Sequence, residues 1–434
     1  MRRLALVLVS CALPLAPARA SAQQRAVTLA EALQLAERNA PNVVQAQGGV
    51  RSAGAGMRAA WGEFLPNLSS TANYGTSFSA GPSRTDPITG EVISGNTSSS
   101  SLGLGGSASL NLFTGFRRGA DLSAARAGRT EADAALAAER AASALQTTGQ
   151  FLLALQSADL VRVRQEAIRR AEEKLAIANA KLATRAATIA DSLQAVVDVT
   201  RARIQLLSEE RNLTEAEAGL ARFIGMDGRV SAVSDSSLFR LTPIADTAQL
   251  MAEAMDRSPA VVRAEARVRS ARASLSIVRS TYLPTITLSG STSFSGSDRN
   301  SYTLFNNRSV NLGLSWQLFN GFGRERDVVQ RQAALDAAQS TAADTRRQIG
   351  STLTTQLAGL RTAEQRMTLT AQSLEAAQAS ARVQTERYRL GSIGIVELNA
   401  AQDALNNAES EAVAARFDYL RAKAQIESIL GRTL

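Results

Sequence analysis

The chain has no histidine, a single cysteine and few aromatic residues, and these shortages exclude several classes of function. Histidine is the side chain that most often acts as general base or metal ligand near neutral pH. Because Cys11 is the only cysteine, no intrachain disulfide and no cysteine-based metal site can form. The sequence also contains neither a nucleophile elbow nor a phosphate-binding glycine loop. We therefore predict no enzymatic activity, no cofactor and no metal site.

The composition favours long helices that pack along narrow seams. Only 4% of the 434 residues are aromatic, and alanine-rich helices with few aromatic residues do not build a large globular core. The 48 basic residues include only three lysines and are interleaved with 39 acidic residues along the helices. Clustered arginine would suggest a nucleic-acid patch, whereas dispersed charge is typical of a solvated helix face. The dispersion favours the second interpretation, so we predict no nucleic-acid partner.

The N-terminus is organised like a secretory signal peptide. Arg2 and Arg3 precede an apolar run over residues 4–15, and small residues follow at 18–22 as a cleavage site. We predict that residues 1–22 are a signal peptide. The alternative is a lipid anchor on Cys11, which would require an unusually short apolar region.

An internal duplication organises the rest of the chain. The motif Leu-Phe-x-Gly-Phe that contains Gly115 recurs 206 residues later around Gly321. A second motif, an aromatic residue followed by Leu-Pro, ends at Pro66 and again at Pro284. Each proline ends a helix and permits a strand to begin, and each glycine motif marks the passage from a strand into a long helix. The sequence therefore predicts two copies of one structural unit.

The duplication sets the predicted domain boundaries. The signal peptide is followed by a first repeat over 23–225, a linker over 226–247 with a possible short strand at 238–241, and a second repeat over 248–434. Each repeat begins with helices, continues with two strands and ends in a long helical hairpin. The predicted strands lie at about 67–79, 100–113, 285–295 and 308–319, and the predicted hairpins at 116–223 and 322–430.

The four strands alternate apolar residues with small, hydroxyl-rich ones. Their length of about 10 residues is enough to cross a bilayer at a tilt, with the hydroxyl face toward a wet lumen. Aromatic residues such as Phe113, Trp316 and Phe319 lie near one end of the strands, where an interfacial girdle would be. Packing beneath a soluble sheet is the alternative. Four strands cannot close a barrel in lipid, so other copies of the chain must supply the rest.

The segment after each glycine motif predicts one very long helix, because proline is absent and apolar residues recur at intervals of seven. A helix of about 67 residues extends about 100 Å, well beyond the apolar core of a bilayer, so it must run through an aqueous space. Returning helices have the same interval, which predicts antiparallel coiled-coil hairpins. Their turns are expected near residues 183–190 and 390–395.

The second turn carries the most specific resemblance. Its sequence is Tyr388-Arg-Leu-Gly391-Ser-Ile-Gly-Ile395-Val-Glu397-Leu, and it is similar to the turn of the TolC family of outer-membrane efflux proteins, with Glu in place of Asp. The first repeat keeps an acidic residue, Asp191, but has Arg185 where the family has glycine. With the duplication and the two junction motifs, the resemblance covers nearly the whole mature chain.

The resemblance implies an α+β membrane protein that forms a homotrimer. Each copy contributes four transmembrane β-strands to a 12-stranded barrel in the outer membrane, among its lipids, while the helices form a tunnel through the periplasm. Such ducts narrow at the hairpin tips, where they meet a periplasmic adaptor protein and open for an inner-membrane pump. Residues matching the tip gate and adaptor contact are Tyr388, Gly391, Arg185 and Ile395, and those at the strand–helix junctions are Gly115, Gly321, Pro66 and Pro284.

The resemblance also assigns a role to two carboxylates. Asp191 and Glu397 match positions where acidic residues form a ring that favours cations, although a second family acidic position falls on Ala400. Three carboxylates near one axis would concentrate cations on physical grounds too. The alternative is that both are ordinary first-turn carboxylates favoured by the helix macrodipole. Tyr388 and Asp191 also match a polar pair that helps to hold the tip closed, but the basic partner expected at Ile393 is absent.

We therefore expect a passive exit duct of a tripartite efflux or type I secretion system, with energy supplied by its partners. The alternative is a structural or adhesive trimeric envelope protein without a transport path, against which the continuous polar strand faces argue. The sequence does not separate drug efflux from protein secretion, and the lack of a Met or His relay disfavours export of soft metals.

Overall fold

A computed structural model describes residues 25–93, 95, 97–234 and 247–432. The predicted signal peptide over 1–22 and the possible strand at 238–241 lie outside these residues. The described chain is mostly helical with three small sheets, which agrees with the expected α+β class. None of the helices it contains is apolar over a length sufficient to cross a membrane.

The helices and strands alternate along the chain in two similar series. The helices are α1 (Leu29–Asn39), α2 (Pro41–Gly62), α3 (Arg117–Ala183), α4 (Ile189–Ile224), α5 (Thr247–Arg257), α6 (Pro259–Arg279), α7 (Gly323–Arg389) and α8 (Ile395–Leu430). The strands are β1 (Arg25–Val27), β2 (Asn67–Ser79), β3 (Arg84–Thr85), β4 (Val92–Ile93), β5 (Thr97–Thr114), β6 (Val230–Ala232), β7 (Thr285–Ser297) and β8 (Phe305–Ser315).

The chain divides into two compact units, the first of which comprises Met1–Ala40, Ala144–Leu241 and Leu360–Ala422. It contains a small parallel sheet in which β1 pairs with β6. The side-chain amide of Asn39 donates a hydrogen bond of 2.9 Å to the carbonyl of Ile224 and so ties α1 to the end of α4. This sheet was not predicted, because strands of three residues are too short for alternation to show.

The second unit comprises Pro41–Ser143, Thr242–Gly359 and Lys423–Leu434 and contains the main sheet. Its four strands are antiparallel in the order β2-β5-β7-β8. The register puts chemically similar residues in the same row across the strands. One row consists of Ser69, Ser107, Ser291 and Ser309, and the row beside it of Leu68, Ala108, Gly290 and Val310. Because neighbouring rows face opposite sides, the sheet has one hydroxyl-rich and one apolar face.

The strand boundaries differ from the predicted ones mainly at β8. The prediction extended this strand to residue 319, but β8 ends at Ser315, which pairs with Thr285 at the start of β7. The residue before Thr285 is Pro284, which has no N–H to continue the ladder, so Trp316 has no strand partner. Its indole N–H instead donates to the carbonyl of Tyr282 at 3.2 Å. The long loop between β2 and β5 contains the β3–β4 hairpin, which was also not predicted.

The long helices come in pairs of equal length. Helices α3 and α7 have 67 residues each, and α4 and α8 have 36 each. Alternating small and apolar residues are buried along them, which is the packing expected for narrow seams between helices.

Candidate functional site

The turn between α3 and α4 contains a charged residue in the left-handed conformation. Arg185 has a φ of +60°. Its N–H donates to the carbonyl of Leu182 at 3.0 Å, and the N–H of Ala186 donates to the carbonyl of Lys181 at 2.8 Å. These two hydrogen bonds form a Schellman ending, which usually has glycine at this position because a Cβ is strained at positive φ. The exposed Arg185 side chain is held on the outside of the turn.

The turn between α7 and α8 has the same ending with glycine in place. Gly391 has a φ of +80°. Its N–H donates to the carbonyl of Tyr388 at 3.0 Å, and the N–H of Ser392 donates to the carbonyl of Arg387 at 2.9 Å. The second turn thus forms without the strain of about 1 kcal/mol that a residue with a Cβ carries in this conformation.

Asp191 is part of a capping box at the start of α4. Its Oδ2 accepts hydrogen bonds of 2.9 Å from both the N–H and the hydroxyl of Thr188, while its own N–H donates to the Thr188 hydroxyl at 3.3 Å. Within a single chain, the carboxylate therefore stabilises the helix start, as a first-turn acidic residue does.

Glu397 occupies the equivalent third position of α8, but its side chain is freer. The residue is exposed, and in the described part of the chain its carboxylate has no ion pair. The residue before the helix is Gly394, which has no hydroxyl to offer. The carboxylate lies back over this glycine, where a Cβ would approach its Oε2 to 3.0 Å. Of the two predicted carboxylates, only Asp191 is engaged in a capping box.

Tyr388 and Ile395 lie inside the tip and not on its surface. Tyr388 is 2% exposed and packs with Ile395, Leu398, Ala178 and Ala195. The Nζ of Lys181, on α3, donates to the carbonyl of Tyr388 at 2.7 Å and lies 4.2 Å from the centre of its ring. This cation–π contact and hydrogen bond join the two hairpins directly below their turns.

The Tyr388 hydroxyl does not form the predicted polar pair with Asp191. It is buried and has no hydrogen-bond partner among the residues that the structure describes. Burial raises the pKa of Tyr388, and the negative charge of Asp191 raises this pKa further. The Asp191 carboxylate is near enough to act on the hydroxyl electrostatically, but its hydrogen bonds go to Thr188.

We expect Tyr388→Phe to leave the protein as stable or to stabilise it by up to about 1 kcal/mol, because an unpaired buried hydroxyl is removed. The raised pKa means that the unfolded chain releases the tyrosine proton before the folded one, so the parent protein loses stability as the pH rises above about 10, and the phenylalanine variant lacks this loss. The variant should lose less stability between pH 8 and pH 11 than the parent in thermal unfolding. A loss above 1 kcal/mol at pH 8 would instead show a functional hydrogen bond.

A series of polar contacts, which we call the α3–α8 ladder, joins the two hairpins further along. Near the turns, the Nζ of Lys174 donates to Asn399 and to Asp198 on α4, each at 2.6 Å. Arg170 donates to Asn406 at 2.8 Å and to Glu409 at 2.7 Å. The Lys174 side chain is only 4% exposed. The two hairpins are therefore held together by buried polar groups and not by apolar packing alone.

The remaining contacts of the ladder fix its direction. Arg416 pairs with Asp159, and Arg421 donates to Gln156 at 2.9 Å. The residue numbers of the partners increase along α8 as they decrease along α3. The two helices are therefore antiparallel and keep one register. Sequence inspection missed Lys174 and Lys181. The signal available was their rarity and their spacing of seven residues, which places both on one face of α3.

The strand–helix junctions repeat the same unusual backbone. Gly115 and Phe116 have φ of +62° and +65°, and Gly321 and Phe322 have +65° and +63°. At each junction the second phenylalanine packs edge to face on the first one of its motif, with ring centres 5.4 and 5.5 Å apart. Pro66 and Pro284 immediately precede the first residues of β2 and β7. Glycine is favoured as the first of these two left-handed residues because it has no Cβ that a positive φ would strain.

An arginine completes each junction, and sequence inspection missed both. Arg118 lies 4.9 Å from the ring centre of Phe64 and donates to the carbonyl of Leu112 at 3.0 Å. Arg324 lies 4.8 Å from the ring centre of Tyr282 and donates to the carbonyl of Leu318 at 2.8 Å. Their separation of 206 residues was the signal that could have identified them.

Comparison with known proteins shows which family this chain resembles in sequence and in fold. The model of the outer membrane efflux protein family matches residues 32–226 and 250–432. Among curated proteins, the pyoverdine export outer membrane protein OpmQ of Pseudomonas aeruginosa is 29% identical over 239 residues, which cover 53% of this chain and 48% of OpmQ. Protein CyaE of Bordetella pertussis is 28% identical over 206 residues, which cover 46% and 44%. The matched region thus spans about half the length of these curated relatives.

Solved structures match over more of the chain. A membrane protein from Pseudomonas aeruginosa superimposes with a TM-score of 0.77 at 19% identity, covering 93% of both chains. The outer membrane protein VceC from Vibrio cholerae superimposes with a TM-score of 0.74 at 15% identity, covering 93% of this chain and 96% of VceC. At these identities the likeness shows the fold.

Proposed function

Because the chain belongs to the outer membrane efflux protein family, we propose that it is the outer-membrane exit duct of a tripartite efflux or type I secretion system. In this role it conducts cargo passively from an inner-membrane pump, through a periplasmic adaptor protein, to the outside. The family supports a location in the outer membrane, and the long helical hairpins would extend from there into the periplasm.

The observation that carries the proposal is the incomplete main sheet. Strands β2 and β8 are its two open edges, and neither contains a buried residue in the single chain. An open edge in lipid would leave backbone groups unsatisfied at several kcal/mol each. Three copies would join edge to edge into a closed barrel of twelve strands, with the hydroxyl face inside. This supports a homotrimer surrounded by outer-membrane lipid.

The equal helix lengths support the internal duplication. Each half contributes one 67-residue helix, one 36-residue helix and two strands of the main sheet. We propose that residues 23–225 and 248–434 are two copies of one unit, joined by the linker 226–247. Three copies of the chain would then place six similar hairpins around one axis.

The tip residues take two different parts in this proposal. Arg185 and Gly391 lie exposed on the turns, where an adaptor would make contact. Tyr388 and Ile395 are buried beneath them and set the position of the second turn from inside. Opening the tip would therefore require either that the contact between Lys181 and Tyr388 breaks or that the two hairpins move together with this contact intact.

We propose that Glu397 and, to a smaller extent, Asp191 form the acidic entrance of the duct. In a trimer the exposed Glu397 would bring three carboxylates toward one narrow axis, where the wall of low dielectric constant focuses their field. Asp191 contributes less because its charge is already engaged by the Thr188 cap.

Conductance across a planar bilayer tests this proposal. We expect the purified mature protein to form pores that prefer cations, and Glu397→Gln to shift the reversal potential in a salt gradient toward zero. Glu411→Gln, an exposed position further along the same helix, serves as the control and should leave the reversal potential unchanged. Asp191→Asn should have a smaller electrical effect and cost about 1 kcal/mol through the lost cap. An unchanged potential in Glu397→Gln would contradict the acidic entrance, and a protein without conductance would contradict the duct.

A further inference from the structure

Helix α4 has an exposed apolar seam that no other described segment of the chain covers. Six residues with 46% to 68% exposure lie along its first five turns, at successive intervals of four, three, one, seven and three residues. Their spacing places them in one stripe along the helix. We call this stripe the α4 seam, and it consists of Ile189, Leu193, Val196, Val197, Ile204 and Leu207.

Helix α7 has a matching seam that ends at the second turn. Four exposed apolar residues follow one another at intervals of seven residues, which is the spacing of one edge of a coiled coil. The larger three are 57% to 81% exposed. This α7 seam consists of Leu369, Ala376 and Val383 on the helix and of Leu390, the residue directly after its end. Both seams start at a hairpin turn and extend about 20 residues from it, so they reach the same distance along their hairpins.

The internal repeat relates these seams to a contact that already exists. Within the chain, the α3–α8 ladder joins the two hairpins along their length, and the faces of α4 and α7 that carry the two seams stay exposed. In the other repeat the counterpart of α3 is α7, and the counterpart of α8 is α4. Arg170 and Asn406 form one contact of the ladder. The position 206 residues after Arg170 is Ala376, and the position 206 residues before Asn406 is Thr200. Both of these equivalent positions lie in the middle of the two seams.

We propose that the α4 seam of one copy packs antiparallel on the α7 seam of the next copy, in the register of the α3–α8 ladder. The proposal rests on the duplication and the multi-copy assembly of the proposed function, and it names the surface through which the copies meet. In this register Leu193 lies level with Val383, and Leu207 lies level with Leu369.

Charge is complementary in the same register. Arg201 adjoins Thr200 on α4, its side chain is 62% exposed, and its contact with Asp198 is a long 3.7 Å. Glu375 adjoins Ala376 on α7, is exposed, and has no ion pair within the described residues. The proposed packing brings these two opposite charges to the same level at the border of the apolar stripe.

The contact joins two different surfaces, so it is heterologous. Each copy that covers its neighbour's α7 seam still has its own α7 seam uncovered until a ring closes. The buried polar contacts between α3 and α8 and the apolar contacts between α4 and α7 would then alternate around the ring. The two kinds of contact between hairpins differ in chemistry although they are related by the repeat.

Cysteine cross-linking tests the surface and its register together. Residues 23–434 contain no cysteine, so every thiol in the mature protein is an introduced one. Two variants carry matched pairs, Leu193→Cys with Val383→Cys and Leu207→Cys with Leu369→Cys. Two controls exchange the partners, Leu193→Cys with Leu369→Cys and Leu207→Cys with Val383→Cys. The exchange moves each pair 14 residues out of register, which is about 21 Å along a helix.

Each variant, in outer membranes, is treated with a bifunctional maleimide whose reach is less than half of that offset and is then run on a denaturing gel. We expect covalent dimers and trimers from the matched pairs, and monomers from the exchanged pairs and from each single cysteine. Equal cross-linking of the exchanged pairs would overturn the register. If native mass measurement shows a trimer but the matched pairs stay monomeric, the surface is wrong while the duct stands. A monomer by mass would overturn both.

Discussion

Lys174→Met is expected to lower the local free energy of unfolding around the α3–α4 hairpin by about 3 kcal/mol. Lys174 is nearly inaccessible and bonds both Asp198 and Asn399 at 2.6 Å. Methionine preserves most of the side-chain volume but leaves the Asp198 carboxylate, itself 11% exposed, with only the long 3.7 Å contact to Arg201 as an ion pair. Removing one partner of a buried ion pair costs about 3 to 5 kcal/mol, since an uncompensated charge remains in a poorly solvated place.

Hydrogen exchange of the amides in α3 and α4 near the pair measures this loss directly. A change of 3 kcal/mol corresponds to exchange that is faster by about 100-fold. The double variant Lys174→Met with Asp198→Leu removes both charges and should recover most of the protection. Arg203→Met provides the surface control, because its ion pair with Glu172 is largely exposed and should contribute below about 1 kcal/mol. Equal effects of Lys174→Met and Arg203→Met would contradict a structural role for the buried lysine.

Gly115→Ala is expected to destabilise the protein by about 3 kcal/mol, whereas Gly321→Ala should cost about 1 kcal/mol. Both glycines have positive φ, so an alanine carries a backbone penalty of about 1 to 2 kcal/mol at either position. At Gly115 the new Cβ would also approach the carbonyl oxygen of Ser280 to 2.6 Å and the Cβ of Leu283 to 2.8 Å. At Gly321 it would meet nothing within 4 Å. Such a clash adds about 1 to 3 kcal/mol.

The two alanine variants share their chemistry and backbone conformation, so their difference isolates the clash. Thermal unfolding of the purified proteins, together with the amount assembled in the membrane, should rank parent, Gly321→Ala and Gly115→Ala in that order. Similar losses in both variants would mean that the neighbourhood of Gly115 relaxes and that only the left-handed backbone matters.

Much of the architecture follows from local sequence patterns. Alternation located the strands of the main sheet, because their rows of serine and leucine are separated by the period of two that a strand imposes. Helix periodicity and the glycine at position 391 located the second turn, because a Schellman ending favours a residue without a Cβ. The end of β8 was missed because it depends on its partner strand, which starts at Thr285 after a proline.

The contacts between distant segments could not be predicted in the same way. Lys181 reaches Tyr388, 207 residues later, and Lys174 reaches Asn399, 225 residues later. Nothing near either lysine in the sequence indicates which helix will lie beside it. The Tyr388–Asp191 pair shows the converse, since both residues were identified from the resemblance, yet Asp191 bonds its neighbour Thr188. Local capping satisfies the carboxylate before a longer-range partner can.

Electron microscopy of the detergent-purified mature protein can show whether several copies of this chain enclose a continuous path. We expect a threefold tube that is hollow from the barrel into the helical stalk, with the α4 and α7 seams buried between neighbouring copies. A monomer, or a stalk packed solid along its axis, would contradict it and would favour a structural envelope protein without a transport path.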